Sequence, residues 1–157
     1  MSNIEEILIN GKICKSVWFM RQAGRYLPEF RKIRSQNRNF IELCLNSELS
    51  SKISLQPIDR FNLDSAIIFS DILMVPYALG QKVEFIKDKG PILQEFNFKK
   101  FLNNDLISFT QKLHPVYKAI QKTREKLDKN KSLIGFIGAP WTLLIYILGA
   151  KKNKEEV

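Results

Sequence analysis

The chain has 157 residues, of which 45% are hydrophobic and 26% charged, a balance typical of a globular domain and unlike that of a disordered chain. The formal net charge is +9 and the pI is about 9.6, but no recognisable nucleic-acid motif accompanies this charge, so we expect no nucleic-acid partner. With only two cysteines and one histidine, the sequence excludes a disulfide framework, a histidine-rich metal site and a histidine-dependent catalytic triad.

The N-terminus is acidic and has no long apolar segment, so it predicts no secretory signal and a cytoplasmic protein. Farther along, Val17 to Met20 is a short apolar run. Such a run is typical of a buried strand, and this one ends directly at Arg21.

Two arginines, Arg21 and Arg25, flank a short glycine-containing segment that follows this predicted strand. A guanidinium is a permanently charged planar fork that grips a carboxylate with two hydrogen bonds. Gly24 allows the backbone to bend, and Ala23 leaves room for a ligand. The pattern therefore predicts a carboxylate clamp, although the same spacing also occurs on solvated basic faces. We call residues Arg21 to Arg25 the arginine loop.

The next elements follow from capping and proline signals. Pro28 predicts the first turn of a helix, and Asn46 and Ser47 are the candidate caps of a second helix running towards Arg60. Pro57 is expected to bend or end that second helix. Residues 66–69 form another continuous apolar run, which suits a parallel strand covered on both faces.

In the second half of the chain, apolar residues recur at helical spacing from Leu106 to Leu127. Pro115 is expected to divide that segment into two helices. Residues 133–137 predict a further strand, and residues 141–148 the helix that follows it. This alternation of strands and helices favours a parallel sheet with helices packed outside it, in a barrel or an open sheet.

A membrane helix is the main alternative for the end of the chain. The run from Leu133 to Ala150 carries no charge, and its ~18 residues are the lower limit for a bilayer span. Gly135, Gly138 and Pro140 interrupt the run, however, so a strand, a turn and a helix account for it better. We therefore expect no membrane insertion.

Functional groups of parallel α/β folds gather beyond the carboxyl ends of the strands. The arginine loop, Asp71 and Tyr146 all follow predicted strands. A carboxylate beside the apolar residues after Asp71 is costly to bury unless its charge is compensated. Asp71 is therefore a candidate functional residue, with a helix cap or an arginine partner as the structural alternative.

Three long segments resemble one family in the same order. Residues 18–29, 64–80 and 135–146 are similar to three motifs of the uroporphyrinogen decarboxylases, and the resemblance extends from about Asn10 to about Ala150. It implies a (β/α)8 barrel, a fold that typically needs about 250 residues. The chain is thus expected to be the N-terminal half of a TIM-type barrel, with residues 1–157 forming an incomplete N-terminal portion of that domain.

The resemblance also implies a reaction, namely the loss of the four acetate carboxyls of uroporphyrinogen III to give coproporphyrinogen III in haem biosynthesis, without a metal or an organic cofactor. It implies that Asp71 stabilises the transition state and that complete members of the family are homodimers. The implied substrate-binding residues are Arg21, Gln22, Ala23, Gly24, Arg25, Asp71 and Tyr146.

Two other interpretations stay open. The chain is alternatively a truncated, non-catalytic remnant of such an enzyme, since the family's later site residues, a serine or threonine and a histidine, have no counterparts in it. A corrinoid-linked methyltransferase is a more distant possibility, and the Arg-Gln-Ala-Gly-Arg run argues against it.

Overall fold

A computed structural model describes residues 2–86, 89–99 and 105–149. Within these ranges the chain forms two compact units. The first unit contains residues 2–70 and 115–136, and the second contains residues 71–114 and 137–149. The division therefore falls directly before Asp71.

Four helices precede the first strand of the first unit, and each begins where its sequence supplies a cap or a proline. Ser2 forms a capping box with Glu5, Pro28 occupies the first turn of the second helix, and Asn39 and Asn46 cap the next two. The elements are α1 (Asn3–Asn10), α2 (Pro28–Gln36), α3 (Phe40–Leu45), α4 (Ser47–Phe61) and β1 (Ser65–Ile67).

The strand β1 pairs in parallel with β4 (Ser132–Ile134), with Ser65 opposite Ser132 and Ile67 opposite Ile134. The pairing confirms the predicted parallel arrangement, but β1 and β4 end at Ile67 and Ile134, before the ends of the runs predicted over residues 66–69 and 133–137. Apolar side chains from α4, β1 and the segment before β4 form a core around the pair, namely Ile58, Leu63, Ala66 and Leu127.

The second unit contains α5 (Met74–Ala78), an antiparallel hairpin of β2 (Val83–Ile86) and β3 (Gly90–Leu93), and α7 (Pro140–Leu148). The sequence analysis did not predict this hairpin. The turn before α7 requires a glycine, because a Cβ on Gly138 would lie 2.6 Å from Leu143 Cδ2. The helix predicted over residues 141–148 is confirmed.

The helix α6 (Leu106–Lys126) is continuous, so the prediction that Pro115 divides it is wrong. Likewise α4 passes through Pro57 and ends at Phe61. An interior proline costs a helix about 3 kcal/mol. Pro57 is fully buried, as is Ile53 of the same helix, and burial of this face of α4 helps to offset the cost.

The predicted buried strand over residues 17–20 is also wrong. Its four side chains are between 42% and 74% exposed, and the segment is not a strand. Of these four residues, only Val17 is hydrogen-bonded to the segment before β1. The Val17 N–H donates to the Asp64 carboxylate at 2.6 Å, and the Val17 carbonyl accepts from the Asp64 N–H at 3.0 Å. An apolar run forms a buried strand only where other elements cover it.

No helix among residues 2–86, 89–99 and 105–149 combines the length and the apolar character needed to cross a membrane.

Candidate functional site

The arginine loop is an irregular turn between Met20 and α2. Arg21 and Arg25 are both exposed, and neither forms an ion pair with another residue that the structure describes. Ala23 and Gly24 are half-buried, and the Leu27 N–H closes the turn on the Gly24 carbonyl at 3.0 Å. Both guanidiniums are therefore available to an anionic ligand.

The backbone of this loop offers further donors. Among the residues that the structure describes, no acceptor is bonded to the N–H groups of Gln22, Ala23 and Gly24. The Arg25 carbonyl, by contrast, accepts from the Arg31 guanidinium at 2.8 Å. Unpaired N–H groups beside guanidiniums favour binding of a carboxylate.

Gln22 lies within the loop but differs from its charged neighbours, because its side chain is only 3% exposed. Its amide donates to the Ser65 carbonyl at 2.8 Å and accepts from the Phe19 N–H at 3.2 Å. Gln22 is a predicted binding residue, but both ends of its side-chain amide are already hydrogen-bonded to the protein.

Asp71 begins the second unit and forms a short turn with Ile72 and Leu73, which we call the aspartate turn. The Leu73 N–H donates to Asp71 Oδ1 at 2.8 Å. The carboxyl group is half-buried and has no ion-pair partner among the described residues. Burial raises the pKa of Asp71 above its ordinary value, and the hydrogen bond from Leu73 opposes that rise in part.

The structural alternatives for Asp71 are therefore not realised in the described part of the chain. The residue at the N-cap of α5 is Leu73, and no described arginine pairs with the carboxylate. A half-buried carboxylate without a countercharge favours binding of a cationic ligand, because the ligand's charge compensates the negative charge of the carboxylate.

The chain just before the aspartate turn is fixed by two serines of α4, within the first unit. The Phe69 N–H donates to Ser54 Oγ at 2.7 Å, and Ser50 Oγ donates to the Phe69 carbonyl at 2.6 Å. Ser50 and Ser54 are 1% and 0% exposed. Sequence reasoning missed this pair, although serines four residues apart on a helix that faces a buried strand are a recognisable signal.

Tyr146 lies on α7 and is 39% exposed. Within the second unit, α5 follows the aspartate turn and packs against α7. Asp71 and Tyr146 therefore belong to one unit, whereas the five residues of the arginine loop belong to the other.

His114, Cys14 and Cys44 do not form a metal centre. Among the described residues, no three histidine, cysteine, aspartate or glutamate side chains are grouped so that they could hold a metal ion.

Comparison with known proteins identifies the family. Residues 15–157 match the uroporphyrinogen decarboxylase family. The chain is 47% identical over 142 residues to a uroporphyrinogen decarboxylase from Rickettsia canadensis, covering 88% of this chain and 41% of the relative. It is 49% identical over 141 residues to one from Neorickettsia sennetsu, covering 90% of this chain and 42% of the relative.

A solved methyltransferase from Methanosarcina mazei shares the fold, with a TM-score of 0.65, 17% identity, and coverage of 88% of this chain and 42% of the other. The chain thus spans about two fifths of the length of the curated relatives it matches. Because the family match covers most of the sequence, the chain belongs to the uroporphyrinogen decarboxylase family.

Proposed function

We propose that this chain is the N-terminal substrate-binding portion of a uroporphyrinogen decarboxylase, a carboxy-lyase of haem biosynthesis. Its substrate is uroporphyrinogen III, which loses four acetate carboxyls as carbon dioxide and gains a proton at each carbon to give coproporphyrinogen III. Membership of the family supports this proposal. The observation that carries it is the arginine loop, which presents two unpaired guanidiniums to solvent.

Charge explains why this substrate fits. Uroporphyrinogen has carboxylates around its rim, and each can accept two hydrogen bonds from one guanidinium. Arg21 and Arg25, with the N–H groups of Gln22, Ala23 and Gly24, bind these carboxylates. Tyr146 donates its hydroxyl hydrogen near a reacting acetate.

Asp71 has the chemical role. Loss of carbon dioxide leaves an electron pair that needs an acceptor, and protonation of the pyrrole ring supplies one as a cationic intermediate. The Asp71 carboxylate accepts hydrogen bonds from the pyrrole N–H groups and stabilises the developing positive charge. Half-burial favours this role because an ion pair is stronger where water is partly excluded. The reaction then needs no metal or organic cofactor.

The proposal includes the architecture. We infer that β1 and β4 are strands of a (β/α)8 barrel whose remaining strands lie in the part of the relatives that this chain does not cover. The complete enzyme is a cytoplasmic homodimer with neither a nucleic-acid partner nor a membrane partner.

The alternative is a remnant that keeps the motifs without activity. To separate the two, the 157-residue chain is fused to the part of the Neorickettsia sennetsu relative beyond the matched region, giving what we call the completed protein. We expect the completed protein to convert uroporphyrinogen, with or without a chelator, and the 157-residue chain alone to show no turnover. An inactive completed protein would contradict the proposal and favour the remnant.

A further inference from the structure

Gln22 is the one buried residue of the otherwise exposed or half-buried arginine loop. Burial of a side-chain amide is unfavourable unless the amide is hydrogen-bonded. The residue is nevertheless placed inward, while Arg21 and Arg25 point to solvent. Its burial therefore calls for an explanation from its contacts.

The side-chain amide of Gln22 is bonded at both ends. Nε2 donates to the carbonyl of Ser65, the first residue of β1, at 2.8 Å. Oε1 accepts from the Phe19 N–H at 3.2 Å and closes the turn that leads into the loop. One side chain thus ties the loop to a strand 43 residues away in sequence.

A second contact fixes the backbone of the same residue. The Tyr26 hydroxyl donates to the Gln22 carbonyl, and the Tyr26 ring stacks on Phe61 at the end of α4 with ring centres 6.3 Å apart. The side chain of Gln22 is therefore bonded to β1, and its carbonyl is bonded to Tyr26, whose ring stacks on α4.

We infer that the Gln22 side chain is a positioning residue: it holds the arginine loop in its binding conformation, and it does not itself contact the ligand. A loop that is already ordered loses less conformational freedom when a ligand binds, so binding is tighter for the same contacts. Gln22 thus acts on the ligand through Arg21 and Arg25. The identity of that ligand as a polycarboxylate tetrapyrrole rests on the proposed function.

The chain supplies a matched control in Gln56. It is 6% exposed, and neither atom of its amide has a hydrogen-bond partner in the described part of the chain. Methionine has a similar length and shape but no strong hydrogen-bonding group. Gln22→Met therefore removes two hydrogen bonds, whereas Gln56→Met removes none.

The first test measures order in the 157-residue chain by ¹⁵N relaxation. We expect amide order parameters of Arg21 to Arg25 to fall from about 0.85 to below about 0.6 in Gln22→Met and to stay unchanged in Gln56→Met. A loop that is equally rigid in both variants would overturn the inference. Should Gln22→Met fail to fold, Gln22→Asn keeps the amide but shortens the side chain so that it no longer reaches both the Ser65 carbonyl and the Phe19 N–H, and an unchanged loop in that variant would equally overturn the inference.

The second test uses the completed protein and uroporphyrinogen. A residue that only orders the binding loop affects ground-state and transition-state binding alike. We expect KM to rise about tenfold in Gln22→Met with kcat within about twofold, and neither constant to change in Gln56→Met. An active parent whose KM is unaffected by Gln22→Met contradicts the positioning role. An inactive parent contradicts the proposed function instead, and the relaxation measurement still decides the role of Gln22.

Discussion

The arginine loop and the aspartate turn differ in how far their charged groups are exposed to water in the folded chain. Arg21 and Arg25 keep their guanidiniums in water, so their charge costs the folded state little. Asp71 keeps its carboxylate half-buried without a countercharge, and burial raises its pKa. The proposed binding groups therefore cost the fold little, whereas ionisation of the proposed catalytic group is expected to lower its stability. Such a trade between stability and activity is common at enzyme sites.

The largest effect that tests this contrast concerns the arginines. In the completed protein, Arg21→Ala combined with Arg25→Ala removes two charge-assisted pairs of about 1.5–3 kcal/mol each, so we expect kcat/KM to fall about a thousandfold. In the 157-residue chain the same double variant should change the free energy of unfolding by less than about 0.5 kcal/mol.

Substitution of the exposed Lys118 by alanine is the control for loss of positive charge outside the arginine loop. It should leave both quantities unchanged. A double arginine variant with kcat/KM within threefold of the parent would show that the arginine loop does not bind the substrate.

A smaller effect concerns the two serines of α4 that bond to Phe69, just before Asp71. Ser54→Ala leaves the partly buried Phe69 N–H without its acceptor, and we expect the free energy of unfolding to fall by about 1–3 kcal/mol. Ser51 on the same helix is 0% exposed, and its hydroxyl has no partner among the described residues. Ser51→Ala should therefore be neutral or slightly stabilising in urea denaturation, and equal losses for the two variants would show that the hydrogen bond contributes nothing.

The smallest effect is the dependence of stability on pH through Asp71. Because its folded-state pKa is raised, the folded state binds the proton more tightly, and ionisation of Asp71 lowers stability as pH rises from the ordinary aspartate pKa to the folded pKa. Asp71→Asn should therefore stabilise the 157-residue chain at neutral pH, and the gain should vanish below the ordinary aspartate pKa.

Urea denaturation of the 157-residue parent chain and of its Asp71→Asn variant, from below the ordinary aspartate pKa up to neutral pH, measures the difference in their free energies of unfolding. A variant that is less stable than the parent at neutral pH would show that the ionised carboxylate is compensated in the folded chain, and the contrast with the arginine loop would then be lost.

Local signals predicted much of the fold. The cap at Asn46 and the proline at the start of α2 were sufficient, because each depends on residues adjacent in sequence. The proline within α6 misled the prediction of two helices, because an interior proline weakens a helix without always ending it.

Features that depend on distant partners were harder to predict. The exposure of residues 17–20 follows from which elements cover them, and this is not encoded in the run itself. The hairpin of β2 and β3 had only the alternation of Val83 to Ile86 and the Gly90 turn as signals. For the site, the sequence indicated the arginine loop and Asp71, but not the bond from Gln22 to Ser65 or the serines that hold Phe69.

The most direct test of the account is the rate of the completed protein after Asp71→Asn, a change that preserves shape and removes the negative charge. We expect kcat for loss of the first acetate carboxyl to fall at least about a hundredfold, as when one preorganised stabilising group is removed from other enzymes. Binding of the substrate should be affected far less. A variant that keeps the parent's kcat would contradict the claim that this carboxylate stabilises the cationic intermediate.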